Sequence, residues 1–177
     1  MAYKAFDLAG KTALITGGNS GIGLGMAEAL AQAGASIAIW GTNAEKNAAA
    51  LAKIKAHGAK AIALHCDVGD EQEVEQRFAE TVTALGPVHA CFANAGVSGR
   101  AEVKSFTEMS AAEWKRVTRV NLDGAFYTLR AAAFLSALVP QMHTAAPDWA
   151  SASAIPRPIP LLPPVIKAVL PVRSKAL

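Results

Sequence analysis

Glycine is missing from this chain after Gly124, and proline is nearly missing before Pro140. All 14 glycines lie between Gly10 and Gly124, whereas eight of the nine prolines fall in residues 140–177. The second segment therefore lacks the punctuation of strand–turn–helix units. Pro156, Pro158, Pro160, Pro163 and Pro164 would interrupt any helix or inner strand there. It reads as an extended or disordered tail behind a domain that occupies residues 1–139. Cysteine is scarce as well, with only Cys66 and Cys91. A sheet order of 3-2-1-4 would hold them three strand spacings apart, roughly 14 Å, and a disulfide needs Cα atoms within about 7 Å. Two buried thiols in a reducing compartment are expected. No apolar run is long enough to span a bilayer, and the N-terminal residues Lys4, Asp7 and Lys11 leave no signal-peptide core. A cytoplasmic protein is the expectation. Charge of one sign is lacking over the body. Residues 1–139 hold 13 Lys and Arg against 13 Asp and Glu, so the net +3 comes from Arg157, Lys167, Arg173 and Lys175 against Asp148. A nucleic-acid-binding face is not implied. His57, His65, His89 and His143 show no metal-ligand spacing, and no metal is expected.

What is present centres on one stretch, Ala13-Leu14-Ile15-Thr16-Gly17-Gly18-Asn19-Ser20-Gly21-Ile22-Gly23. A short apolar strand breaks into glycines and then into a helix-forming run. Such a turn brings backbone N–H groups close to a ligand, and the helix start aims its unpaired donors and positive dipole end at the same spot. An anion fits there, most often a dinucleotide pyrophosphate. Downstream, strands are expected at 36–40, 60–65 and 88–93, and helices at 22–33, 43–56 and from Asp70 to before Gly86. Asn43, Asp70 and Ser110 stand as helix caps. A longer helix begins at Ser110, with Trp114, Val117, Val120 and Leu122 placed to bury one face. Strands alternating with helices predict an α/β fold: a three-layer Rossmann-like parallel sheet, strand order 3-2-1-4, incomplete on its C-terminal side. Strand four is then an unprotected edge, and self-association into a homo-oligomer is an expectation.

The spacing Thr-Gly-x-x-x-Gly-x-Gly, followed by Asn94-Ala95-Gly96 and Asn121, resembles the short-chain dehydrogenase/reductase family over roughly residues 8–133. That resemblance implies hydride transfer between a nicotinamide cofactor and a small alcohol or carbonyl compound. It assigns Thr16, Gly17, Asn19, Ser20, Gly21, Ile22 and Gly23 to the cofactor's pyrophosphate turn. Asp67 and Val68 are assigned to its adenine, and Asn94, Ala95 and Gly96 to the nicotinamide ribose. The turn Trp40-Gly41-Thr42-Asn43 carries no carboxylate where the family often has one. Thr42 and Asn43 could donate to a 2′-phosphate, with Lys46 one helical turn away, which tilts the choice to NADP with NAD as the alternative. The same residues also read as a simple polar turn capped by Asn43, and Asp67 as a strand-end cap. Asn121 matches the asparagine whose side chain and helix break hold a water in the family's proton relay. By itself it reads as a polar residue on an amphipathic helix.

The family's acid/base tyrosine, four residues before a lysine, has no counterpart. Tyr3 precedes the fold, and Tyr127 has Ala131 four positions on. Ser151 and Lys167 fall near the spacing of the family's serine and lysine, but Pro163 stands in the tyrosine's place. Three readings remain open. The chain is an oxidoreductase by lineage with impaired or no turnover. Or it is a non-catalytic cofactor-binding remnant, truncated or frameshifted near Ala133. Or it is an interaction module, because Arg157-Pro158-Ile159-Pro160-Leu161-Leu162-Pro163 fits an R-x-x-P-x-x-P polyproline ligand.

Overall fold

The computed structural model describes residues 6–99 and 105–143, with side chains through residue 134. Four parallel strands, β1 (Thr12–Thr16), β2 (Ser36–Gly41), β3 (Ala61–His65) and β4 (Ala90–Phe92), form one sheet in the order β3-β2-β1-β4. The crossovers are α1 (Gly21–Gln32), α2 (Ala44–Ala56) and α3 (Glu71–Leu85). After a 3-10 turn (Phe106–Glu108) come α4 (Ala111–Thr118), a π-helical turn (Arg119–Asp123) and α5 (Gly124–His143). The expected boundary between body and tail falls in the last turn of α5. Ser151, Lys167 and the polyproline motif lie outside the described residues.

Side-chain alternation along the strands builds a core on each face of the sheet. Ala13 and Ile15 of β1 join Ile37 and Ile39 of β2 beneath α1 and α2, where Ala27, Ala31, Ala50 and Ile54 close the layer. Leu14, Ala38 and Trp40 point the other way, onto Val74, Phe78 and Leu85 of α3 and Ala131 and Ala132 of α5. Full burial of each large aliphatic side chain contributes about 2 kcal/mol, which explains the unbroken apolar run of β2. Trp40 is fully buried, yet its indole N–H is satisfied by donation to Thr81 Oγ1 at 3.1 Å, and its ring meets Phe78 edge-on. Both cysteines are free thiols, Cys66 buried just after β3 and Cys91 half-buried on β4, and burial pushes both up to about 12.

The three expected caps are present. Asn43, Asp70 and Ser110 each accept from the backbone N–H three residues on, at 2.8, 3.0 and 3.1 Å. One expectation fails. Trp114 and Leu122 are 55% and 66% exposed rather than turned inward. The residue that α4 buries is Glu113, which holds Arg116 through both carboxylate oxygens at 2.8 Å. A helical stripe assumes about 100° per residue without interruption. The π turn at Arg119–Asp123 inserts an extra residue, so Leu122 does not continue the stripe of α4, whereas Val117 is half-buried and Val120 packs against the core as expected.

Candidate functional site

The sheet order reverses between β1 and β4, and the carboxyl ends of all four strands converge on a cavity of about 600 Å³. Such a crevice is where open α/β sheets bind ligands. Its floor is the turn from β1 into α1. Gly17 and Gly21 adopt positive φ (64° and 52°), which β-carbons disfavour. The turn is also too tight for side chains. A Cβ on Gly23 would lie 2.3 Å from the Gly17 carbonyl oxygen, and one on Gly18 would lie 2.5 Å from Ile39 Cγ2. Ser20, at the N-cap of α1, makes no side-chain cap bond, and the first turn carries no acidic residue. The N–H groups at that helix start thus keep their donor capacity and positive field for a ligand.

Thr16 fastens β1 to the loop after β4. Its hydroxyl oxygen accepts from the backbone N–H groups of Asn94 and Ala95, both at 3.0 Å, and the Asn94 amide donates to the Thr16 carbonyl at 3.0 Å. Thr16 is buried and does not line the cavity, whereas Asn94, Ala95 and Gly96 do. A second knot joins the glycine turn to β2 and β3. Asn47, buried on α2, donates from Nδ2 to the carbonyls of Gly41 at 2.8 Å and Leu64 at 3.2 Å. Its oxygen accepts from Asn19 Nδ2 at 2.7 Å. The amide pair occupies the space over Gly41, where a Cβ would fall 2.3 Å from Asn19 Nδ2. Thr42, Asn43 and Lys46 border the cavity beside this knot, with Asn43 also serving as the cap of α2.

Across the cavity, Asp67 and Val68 follow β3. Asp67 Oδ1 accepts from the Gly69 N–H at 2.9 Å, and Oδ2 pairs with Arg119 at 2.7 Å. Burial works to raise the Asp67 pKa, but the Arg119 hydrogen bond and charge and the Gly69 N–H outweigh it, and the carboxyl lies below its ordinary value. Asn121 sits in the π turn and is bonded twice to one residue: Val97 N–H donates to Oδ1 at 2.8 Å, and Nδ2 donates to the Val97 carbonyl at 2.9 Å. Gly124 lets that turn approach β3, since a Cβ there would meet Val68 Cγ2 at 2.6 Å. Arg116 ties α4 to the same loop through the Ser98 carbonyl at 2.7 Å.

Of the residues expected from the sequence, Gly17, Asn19, Ser20, Ile22, Gly23, Thr42, Asn43, Asp67, Val68, Asn94, Ala95 and Gly96 come together around one cavity. Gly21 adjoins it at the start of α1, Thr16 is buried behind the lining, and Asn121 is exposed and outside the lining. Tyr127, on α5, packs against the core and carries the Arg130 guanidinium 5.7 Å from its ring centre. Sequence reasoning missed Asn47, Arg116 and Arg119. Asn47 had a visible signal, a polar residue heading the apolar positions 50 and 54 on the inner stripe of α2. The arginines had none for their part in the site, because Ser98 and Asp67, the groups they reach there, are distant in sequence.

A parallel sheet in this order, with a glycine turn under a cavity at its switch point, defines a Rossmann-like α/β protein. Within that class the chain belongs to the short-chain dehydrogenase family, whose sequence profile matches residues 11–143. It is 38% identical over 119 residues to the cyclohexanol dehydrogenase of Acinetobacter sp. (strain SE19), covering 67% of this chain and 47% of that protein. A short-chain type dehydrogenase/reductase from Mycobacterium marinum superposes with a TM-score of 0.66 at 35% identity, over 73% of this chain and 51% of that one. One from Burkholderia phymatum, solved in complex with NAD, gives 0.67 at 31% identity, over 72% and 44%. The chain spans about half the length of the curated relatives it matches.

Proposed function

We propose that this chain binds a nicotinamide dinucleotide in the cavity and is an oxidoreductase by lineage that turns over slowly or not at all. The observation that carries the reading is the cradle between Gly17 and Gly23, which a single Cβ would fill, beneath a helix start with no side-chain cap. Those features suit a pyrophosphate. The residues on hand fit the rest of such a ligand. Asn19, Ser20, Gly21 and Ile22 would hold the pyrophosphate with Gly17 and Gly23, and Thr16 would keep that turn in register. Asp67 and Val68 would meet the adenine, and Asn94, Ala95 and Gly96 the nicotinamide ribose. Thr42, Asn43 and Lys46 favour NADP over NAD, because a 2′-phosphate would face donors and a cation rather than a carboxylate.

When bound, the nicotinamide supplies a hydride donor or acceptor for an alcohol or carbonyl substrate. Asn121 would fix the 94–97 loop at the reacting end and offer a polar anchor for water. No tyrosine of the sequence stands four residues before a lysine. The two tyrosines of the sequence are Tyr3 and Tyr127, and Tyr127 is engaged with Arg130 away from the cavity lining. Without a group to move the substrate oxygen's proton, hydride transfer stays slow.

The test is fluorescence titration of the full chain with NADPH and NADH. Gly21→Asp should abolish binding, because its Cβ meets nothing within 4 Å and the new carboxylate stands beside the helix start, where it repels a pyrophosphate, in addition to the strain of any side chain at a φ of 52°. Gly21→Asn, equal in shape and neutral, should bind more tightly than Gly21→Asp. Unchanged affinity in Gly21→Asp refutes the site.

A further inference from the structure

Asp67 and Arg119 meet across the cavity from elements 52 residues apart, the turn after β3 and the first residue of the π turn. Both line the cavity. The backbone of Asp67 is held independently, because its N–H donates to Glu73 Oε2 at 3.1 Å. Its carboxylate is held by two donors, Gly69 N–H on one oxygen and Arg119 on the other. Arg119 packs against the Gly69 backbone. A Cβ on Gly69 would lie 2.6 Å from Arg119 Nη1 and 2.8 Å from its Cζ, so a side chain there would displace the guanidinium.

We propose that Arg119 is a positioning residue for the adenine end of the cavity, holding the Asp67 carboxylate in the orientation that accepts the adenine 6-amino group. The inference rests on the dinucleotide reading above. An ionised carboxylate offers about four acceptor sites, and two are occupied here, so the remaining lone pairs can take an exocyclic amine without breaking the ion pair. Arg119 also stands at the start of the turn that carries Asn121. The same bond thus ties the adenine side of the cavity to the loop at its other end.

The test compares Kd values for NADH or NADPH, whichever binds more tightly, with those for its deamino form, in which hypoxanthine replaces adenine. The full chain is titrated by nicotinamide fluorescence. Exposed ion pairs contribute up to about 1 kcal/mol, about fivefold in affinity. Arg119→Met should therefore weaken the adenine dinucleotide about threefold to fivefold and the deamino form less than twofold. Arg119→Lys, which keeps one charged donor, should restore part of the difference. Gly69→Ala should reproduce the loss by unseating the guanidinium. Asp67→Asn should give the same loss, and the double variant with Arg119→Met should be no worse than either alone. Equal weakening of both ligands would make Arg119 a general source of positive field and overturn the proposal. Unchanged binding of both would overturn it as well. Failure of the unaltered chain to bind any dinucleotide would instead refute the underlying reading, and the inference with it.

Discussion

Replacing Asn47 tests whether the amide knot under the cavity holds the fold together. Its side chain makes three hydrogen bonds in a buried setting, to the Gly41 and Leu64 carbonyls and from Asn19. A net value of about 1 kcal/mol each gives about 3 kcal/mol. Two effects reduce the loss in Asn47→Ala. Alanine gains about 0.5 kcal/mol of helix propensity, and the Gly41 carbonyl keeps a long contact from the Cys66 N–H at 3.4 Å. A loss of about 2 kcal/mol is expected. Asn47→Asp preserves shape but turns a donor into an acceptor facing two carbonyl oxygens, and it buries a charge. Its cost at pH 7 should exceed about 3 kcal/mol. Burial raises the folded-state pKa of that new carboxyl above its unfolded value, so the deficit should shrink as pH falls and the carboxyl takes a proton. Urea unfolding followed by far-UV circular dichroism at pH 7 and pH 5 measures both variants. If Asn47→Asp is as stable as Asn47→Ala at pH 7, or if Asn47→Ala costs under about 0.5 kcal/mol, the knot does not carry the weight assigned to it.

Two other sites give independent expectations. Thr128 on α5 is fully buried with a hydroxyl that finds no partner among the described residues. Thr128→Val keeps the shape and removes that orphaned group, so it should stabilise by about 1 kcal/mol and raise Tm by about 2–4 °C; a lower Tm would count against the buried placement. His89 accepts from the Thr12 N–H on Nδ1 at 3.1 Å, which requires a neutral ring nitrogen. Burial foremost, and then the Lys11 charge, hold its pKa below the ordinary imidazole value. Because the folded-state value is depressed, the unfolded chain binds the proton more readily. The His89 contribution is therefore complete above about pH 6.5 and lost as pH falls below it. His89→Gln should flatten the stability profile between pH 7 and pH 5, and an unaltered slope would contradict this.

The sequence by itself determined the strands, the crossovers and most of the cavity lining, because these depend on short-range patterns. The apolar run at 36–40 needs both faces buried, the glycines at 17 and 23 sit where no Cβ fits, and Asn43, Asp70 and Ser110 cap the helices that follow them. Each signal spans only a few residues, so it survives without knowledge of the rest of the chain. Tertiary structure decided what those patterns could not contain. Trp114, ahead of the π turn, and Leu122, within it, stand outside the face that helical periodicity assigns them. The partnerships of Asn19 with Asn47, Asp67 with Arg119, and Asn121 with Val97 span 28, 52 and 24 residues. No local periodicity encodes such pairs. They exist because the sheet order brings the ends of β1, β2 and β3 and the π turn to one crest, where groups distant in sequence come within hydrogen-bond reach.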